Sequence, residues 1–416
     1  MTQISQLLAE AKAADDLAGA YEALLENLKS YSTPTRVEAD MKAIASSIFS
    51  NDLRVVALRS VLERFIEVLA GFNNADLTVA VGQHTLDTIA AQPSATLLDQ
   101  VVSLRNLMAD AHESNEDFLE AAKVLSEMPL DATQRKVTDA ERAAVWVRIV
   151  RNYLEVDDTT SAETYLNKLK IVIHDVADPA LNLHFRLSQA RIQDAKREFL
   201  SASSAYHDIS LSPAVSEEER LHTLAMAARC AILAPAGPLR SRALARLYKD
   251  ERAVNLDEFS MLEKMFLDRL LAPEEVEKFA QGLAPHQLAT TSDGSTVLAK
   301  AVVEHNLLAA SRLYLNISFQ ALGELLGLDA SRAEDTTAKM IEQGRLVGRI
   351  DQVEQWIYFE RGEASGEKGS GRAEVTVGKE MRHWDANVQG LAEEVENVTN
   401  ALQREFPDFV AANLVL

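Results

Sequence analysis

Cysteine is nearly absent from this chain. The single Cys230 cannot build a disulfide framework, which suits a reducing compartment. On its apolar helical stretch it reads as a small buried side chain rather than a nucleophile. Glycine and proline are sparse, 16 and 10 in 416 residues, so the chain is ordered and helix-rich rather than disordered. No apolar run reaches the roughly 18 residues needed to span a bilayer. Residues 1–6 carry no basic stretch leading into an apolar one, so no signal peptide is expected. Without secretion, the sequons at Asn316 and Asn397 are chance matches. Basic residues are outnumbered: 42 Lys and Arg against 63 Asp and Glu give a net charge of −21. That balance favours solubility and argues against a general affinity for nucleic acid.

Chemistry-bearing patterns are missing as well. The nine histidines are scattered, and none stands in His-x-His or His-Glu-x-x-His, so no zinc ligand set is expected. No Gly-x-Ser-x-Gly elbow, dinucleotide fingerprint or cysteine pair occurs. The glycines of 361–371 lack a Gly-Lys-Ser/Thr ending, which excludes a phosphate loop; the stretch reads as a flexible linker extending to about 380. No catalytic residue, metal ligand or cofactor is therefore expected, and the chain is not read as an enzyme.

What is present is helix. From residue 3 to about 285, apolar residues recur at helical spacing, as in Leu7, Leu8, Ala11, Leu17, Tyr21, Leu24, Leu25 and Leu28. Thr138-x-x-Glu141 and Ser216-x-x-Glu219 have capping-box spacing. A repeat lies inside. Ala121, Ala162 and Ala202 are each followed four residues later by a larger apolar residue, Leu125, Leu166 and Tyr206. A step of about 40 residues fits two helices and two turns, with the small residue where the helices approach closely. The fold class is mainly α: a right-handed, TPR- or HEAT-like helical-repeat solenoid over 1–285.

Residues 286–360 read as a winged helix with a small β-sheet. A helix over 297–315 runs into a short strand at Asn316-Ile317, and Ser318 caps a second helix that Gly327 ends. Asp329 starts a third helix that Gly344 stops, and strands follow at 346–351 and 356–360. A DNA-reading role is disfavoured, because residues 297–360 hold six Lys and Arg against nine Asp and Glu. After the linker, a helix and tail occupy 381–416. Trp384, Val388, Leu391, Val395, Val398 and Leu402 repeat every three or four residues, the stripe of a helix that packs lengthwise on other helices. Packing on the chain's own wing is the alternative to a bundle with other chains.

A helical arm, a winged helix and a terminal helix in that order resemble the PCI-domain scaffold family, shared by the proteasome lid, the COP-9 signalosome and a translation initiation factor. The resemblance tightens at Ala-Val-Val-Glu-His-Asn-Leu-Leu-Ala-Ala-Ser-Arg-Leu-Tyr (301–314), Asn-Ile-Ser-Phe-Gln-Ala-Leu-Gly (316–323), Met-Ile-Glu-Gln-Gly-Arg-Leu-Val-Gly-Arg-Ile-Asp-Gln (340–352) and Trp384-Asp385. Glu304-His305-Asn306 and Ile350-Asp351-Gln352 favour the signalosome over the paralogous lid.

The resemblance implies a non-catalytic scaffold in the complex that removes a ubiquitin-like modifier from cullin–RING ligases (deneddylation), in cytoplasm and nucleus. Its implied partners are other PCI subunits, metalloprotease-type subunits and the cullin–RING ligase as substrate, with no nucleic acid or membrane. In this family winged helices pair edge to edge and C-terminal helices gather in a bundle. The subunit interface is thus expected at Ile317, Leu346, Val347, Ile350, Trp356, Ile357 and Phe359. The bundle interface is expected at Trp384, Val388, Leu391, Val395, Val398 and Leu402.

Overall fold

The computed structural model describes residues 6–8, 10–11, 16–33, 36–50, 54–91, 97–130, 136–290, 294–360 and 379–413. Residues 361–378 of the stretch 361–380, read as a linker, lie outside them. The packing divides the chain into two compact units, Met1–Cys230 and Ala231–Leu416.

The first unit is built of helix pairs: α1 (Leu17–Glu26) with α2 (Val37–Ser50), α3 (Val55–Ala70) with α4 (Ala75–Ala91), and α5 (Leu98–Ser114) with α6 (Phe118–Ser126). Then come α7 (Asp139–Glu155) with α8 (Thr159–Val172), α9 (Pro179–Ala195) with α10 (Phe199–Ser210), and α11 (Glu217–Leu233), whose last turn crosses the boundary. Thr138 forms the expected capping box: its Oγ1 accepts from Glu141 N at 3.3 Å, and Glu141 Oε2 accepts from Thr138 N at 3.1 Å. Ala121, Ala162 and Ala202 are fully buried on α6, α8 and α10, and Leu125, Leu166 and Tyr206 are buried beside them. A methyl-sized side chain lets the helix backbones approach, and the larger residue one turn on fills the core.

The turns inside the pairs carry a second periodicity. Asn73, Glu116, Asp157 and Arg197 all have positive φ, between 48° and 65°. Each stands two residues before the second helix of its pair. A left-handed residue after the first helix lets the following N–H turn back on it: Asp117 N donates to His112 O, Asp158 N to Tyr153 O and Glu198 N to Gln193 O, at 2.8–3.0 Å.

Polar clasps join the first helices of successive pairs. Arg64 on α3 donates to Glu26 on α1 (3.1 Å), and Gln100 on α5 to Glu63 on α3 (3.0 Å). Arg148 and Asn152 on α7 reach Glu113 on α5 (2.7 and 2.8 Å), and Arg191 on α9 reaches Glu155 on α7 (2.9 Å). The exposed clasps contribute little. At the half-buried one, burial raises the Glu113 carboxyl, but hydrogen bonds from Arg148 and Asn152 outweigh it and hold the group below its usual range.

The second unit opens with α12 (Pro238–Tyr248), α13 (Phe259–Phe266) and α14 (Pro273–Ala280). The Tyr248 and Phe266 rings stack at 4.6 Å and join α12 to α13. The winged helix follows: α15 (Val297–Leu313), β1 (Asn316–Ser318), α16 (Phe319–Leu326), α17 (Ala330–Glu342), β2 (Gly348–Asp351) and β3 (Trp356–Phe359). Ser318 and Asp329 cap α16 and α17 through Ala321 N (3.3 Å) and Arg332 N (2.8 Å). Gly327 ends α16 at φ +67°, and Gly344 follows α17 at φ +66°. The boundary between the two units falls at Cys230, and Ala236, just beyond it, is built into the winged-helix core with Leu307, Ala310 and Ile357. The second unit ends with α18 (Lys379–Glu405) and α19 (Pro407–Asn413).

Candidate assembly interface

The wing is a three-stranded antiparallel sheet in the order β1-β3-β2. β3 is therefore central, and its register pairs Ile357 with both Ile317 and Ile350. β2 starts at Gly348, two residues later than the sequence suggested, because Leu346 and Val347 turn into the core. A Cβ at Gly348 would lie 2.6 Å from Tyr358 O, so only glycine allows β2 to pair there.

Of the seven expected interface side chains, Ile317, Leu346, Val347, Ile357 and Phe359 are buried in the subunit's own core, Ile350 is half-buried and Trp356 is exposed. Those five side chains pack within the wing. What the wing presents outward is backbone and one sheet face. Glu360 N donates to Val347 O at 3.2 Å, and antiparallel alternation then points the Gly348 and Ile350 backbone groups away from β3, along the open edge of β2. On the outer face Arg349 lies over the Tyr358 ring at 4.4 Å, with Trp356 and Asp351 in the adjoining row.

The wing is anchored by a buried polar cluster. On α15, consecutive Glu304, His305 and Asn306 are all buried, which a helical apolar pattern alone does not foretell. Glu304 takes both Nη atoms of Arg345, Nη2 at 3.0 Å, and also accepts Ala236 N at 3.2 Å. Asn306 accepts Leu271 N at 3.0 Å. His305 accepts from Arg240 Nη2 at Nδ1 (3.2 Å) and donates from Nε2 to Arg269 O (2.8 Å). An arginine can only donate and a carbonyl can only accept, so the ring is the neutral Nε2–H tautomer. Burial, and then the Arg240 charge, push its pKa down to about 4. Arg240, only 2% exposed, is pushed down to about 10 by burial.

The terminal stripe lies open. Trp384, Val388, Leu391, Val395 and Val398 are 45–63% exposed along α18, and Leu402 is half-buried. Phe406 and Phe409, which the periodicity did not single out, extend the exposed apolar surface to α19.

Among the described residues, no group of three or more His, Cys, Asp or Glu is placed to hold a metal ion, and no helix is long and apolar enough to cross a membrane. Cys230 is buried, and burial followed by the nearby Asp194 pushes its thiol far above the usual range.

Comparison with known families and proteins matches this architecture segment by segment. Residues 1–218 match the PSMD12/CSN4 N-terminal family model, and residues 262–361 match the PCI domain. The chain is 58% identical to the COP9 signalosome complex subunit 4 of Neurospora crassa over 96% of its length and 95% of that protein. It is 49% identical to the subunit of that name from Emericella nidulans, over 91% of both chains. With the Dictyostelium discoideum subunit it shares 37% identity over 99% of both.

Proposed function

The chain belongs to the COP9 signalosome subunit 4 family, and from that premise we propose that it is a non-catalytic scaffold of the signalosome. In this reading the open β2 edge and Trp356 engage the neighbouring PCI subunit by strand addition. The stripe from Trp384 to Leu402 enters a helical bundle with other subunits. The assembled complex acts on cullin–RING ligases in cytoplasm and nucleus, and a separate metalloprotease-type subunit carries the chemistry. The acidic wing favours protein over nucleic acid as its partner, and the names of the relatives favour the signalosome over the proteasome lid.

The observation that carries the proposal is the exposed stripe on α18. Burying each large side chain contributes roughly 1.5–3 kcal/mol, so five half-exposed residues and Leu402 can supply several kcal/mol to a bundle. The test is Leu391→Asp with Val395→Asp. Because both side chains are exposed, the isolated variant should unfold at the temperature of the unmodified chain, while reconstitution with the other subunits should fail or give an exchangeable complex. Normal entry into the complex, or unfolding of the variant alone, would refute the bundle.

A further inference from the structure

α12 is a basic helix in an acidic protein. With its C-cap Lys249 it carries Arg240, Arg242 and Arg246 and no carboxylate. Arg240 is buried, but Leu239, Arg242, Arg246 and Lys249 are exposed at spacings of three and four, which places them on one face. Beside this face, at the base of the wing, lies a groove of about 690 Å3. Ser241, Arg242 and Ala245 line one wall, and Arg312, Leu313 and Leu315 line the other.

Two features separate this groove from an ordinary solvated charge run. The first is apolar: Leu313 and Leu315 are 67% and 61% exposed and flank a half-exposed Tyr314, three consecutive large side chains left in water at a concave surface. The second is electrostatic. Glu304 neutralises Arg345 at the groove's floor, and Asp268 pairs with Arg312 at 3.0 Å. Arg242 has no carboxylate partner among the described residues, and the groove lining includes one carboxylate, Glu360. Arg242 on one wall and Leu313 and Leu315 on the other match a ligand that pairs carboxylates with apolar side chains.

We propose that this groove docks an acidic amphipathic segment of a partner protein, with carboxylates over Arg242 and apolar side chains against Leu313 and Leu315. A simple anion would leave the apolar wall uncovered, and a basic or neutral segment would leave Arg242 uncompensated. The site rests on and deepens the wing part of the assembly reading, since Leu346, Val347 and Phe359 also line it, while no residue of α18 enters it.

The test uses the isolated full-length chain. A displayed library of random short peptides is selected in parallel on the unmodified chain, Arg242→Glu and Leu315→Ser. Enriched sequences should be net acidic with at least one aliphatic or aromatic residue, and both variants should lose them. The leading peptide, labelled and titrated by fluorescence polarisation, should bind either variant at least about tenfold more weakly, roughly 1.4 kcal/mol. Added salt should weaken its binding to the unmodified chain. Circular dichroism and melting should be unchanged, because both substituted side chains are exposed. The proposal fails if no peptide prefers the unmodified chain, if the enriched sequences are neutral or basic, or if duplex DNA competes for the groove. A failure here leaves the bundle test on α18 untouched.

Discussion

Removing Glu304 tests whether the buried cluster holds the wing to the helices before it. In Glu304→Ala, Arg345 keeps a guanidinium whose side chain is only 15% exposed and loses both carboxylate bonds, while Ala236 N–H loses its acceptor. Arg240, already disfavoured by burial, also loses the largest of the nearby charges that support it. Stripping one partner from a buried pair costs about 3–5 kcal/mol, because the other charge stays buried. For a unit of this size each kcal/mol moves the midpoint by about 2–4 °C, so a drop of roughly 6–20 °C is expected. The clean readout is urea unfolding followed at Trp356, with Trp146 and Trp384 replaced by Phe. Glu304→Met with Arg345→Met removes both charges and should recover most of the loss, since no lone charge remains. The reasoning is refuted if the single change costs less than about 1 kcal/mol, or if the double change is no better than the single one.

The same cluster sets a pH dependence. His305 titrates at about 4 in the fold against 6.5 free, so between those values the unfolded chain takes up a proton that the folded one refuses. Stability should fall by on the order of 3 kcal/mol as pH drops through that window, and be independent of His305 above it; His305→Gln should flatten this part of a stability–pH curve. Ala162→Leu forces bulk into a fully buried helix contact and should cost about 1–3 kcal/mol by chemical denaturation, with no loss if the packing there is loose. Asp157→Gly relieves a positive φ and should be neutral or stabilising by up to about 1 kcal/mol, whereas the same change at a helical position would destabilise. Ile350→Pro removes an outward N–H from the β2 edge and should weaken subunit pull-down more than folding; Ile357→Pro, in the central strand, should unfold the wing. Equal partner binding by a folded Ile350→Pro would count against strand addition.

Local signals carried much of the fold. Ala121, Ala162 and Ala202 mark helix contacts that the structure buries, and Thr138, Ser318 and Asp329 cap the helices their spacing announced. The strands were legible as well, to within two residues. Strand order was not, because β1-β3-β2 depends on pairing between residues some forty apart in sequence. The buried cluster escaped for the same reason. Arg240 meets His305, and Glu304 meets Arg345, only after the chain has folded. On a helical wheel, three adjacent polar residues at 304–306 look like a solvated turn. The wing's apolar residues follow an alternation that edge and core strands share, so burial, which places Ile317 and Ile357 inward, is not legible from pattern alone.

The clasps of the first unit all face one way: the acceptor stands on the earlier helix and the donor on the next. An array built like this has a head and a tail. Cut it between pairs, and one new end shows carboxylates while the other shows their donors, so the two halves still recognise each other. Excise a whole pair, and the surviving acid meets a surviving donor; excise a single helix, and it meets the wrong face. Nearest-neighbour coupling of this kind makes the pair the smallest unit by which such an arm can grow or shorten without losing its register.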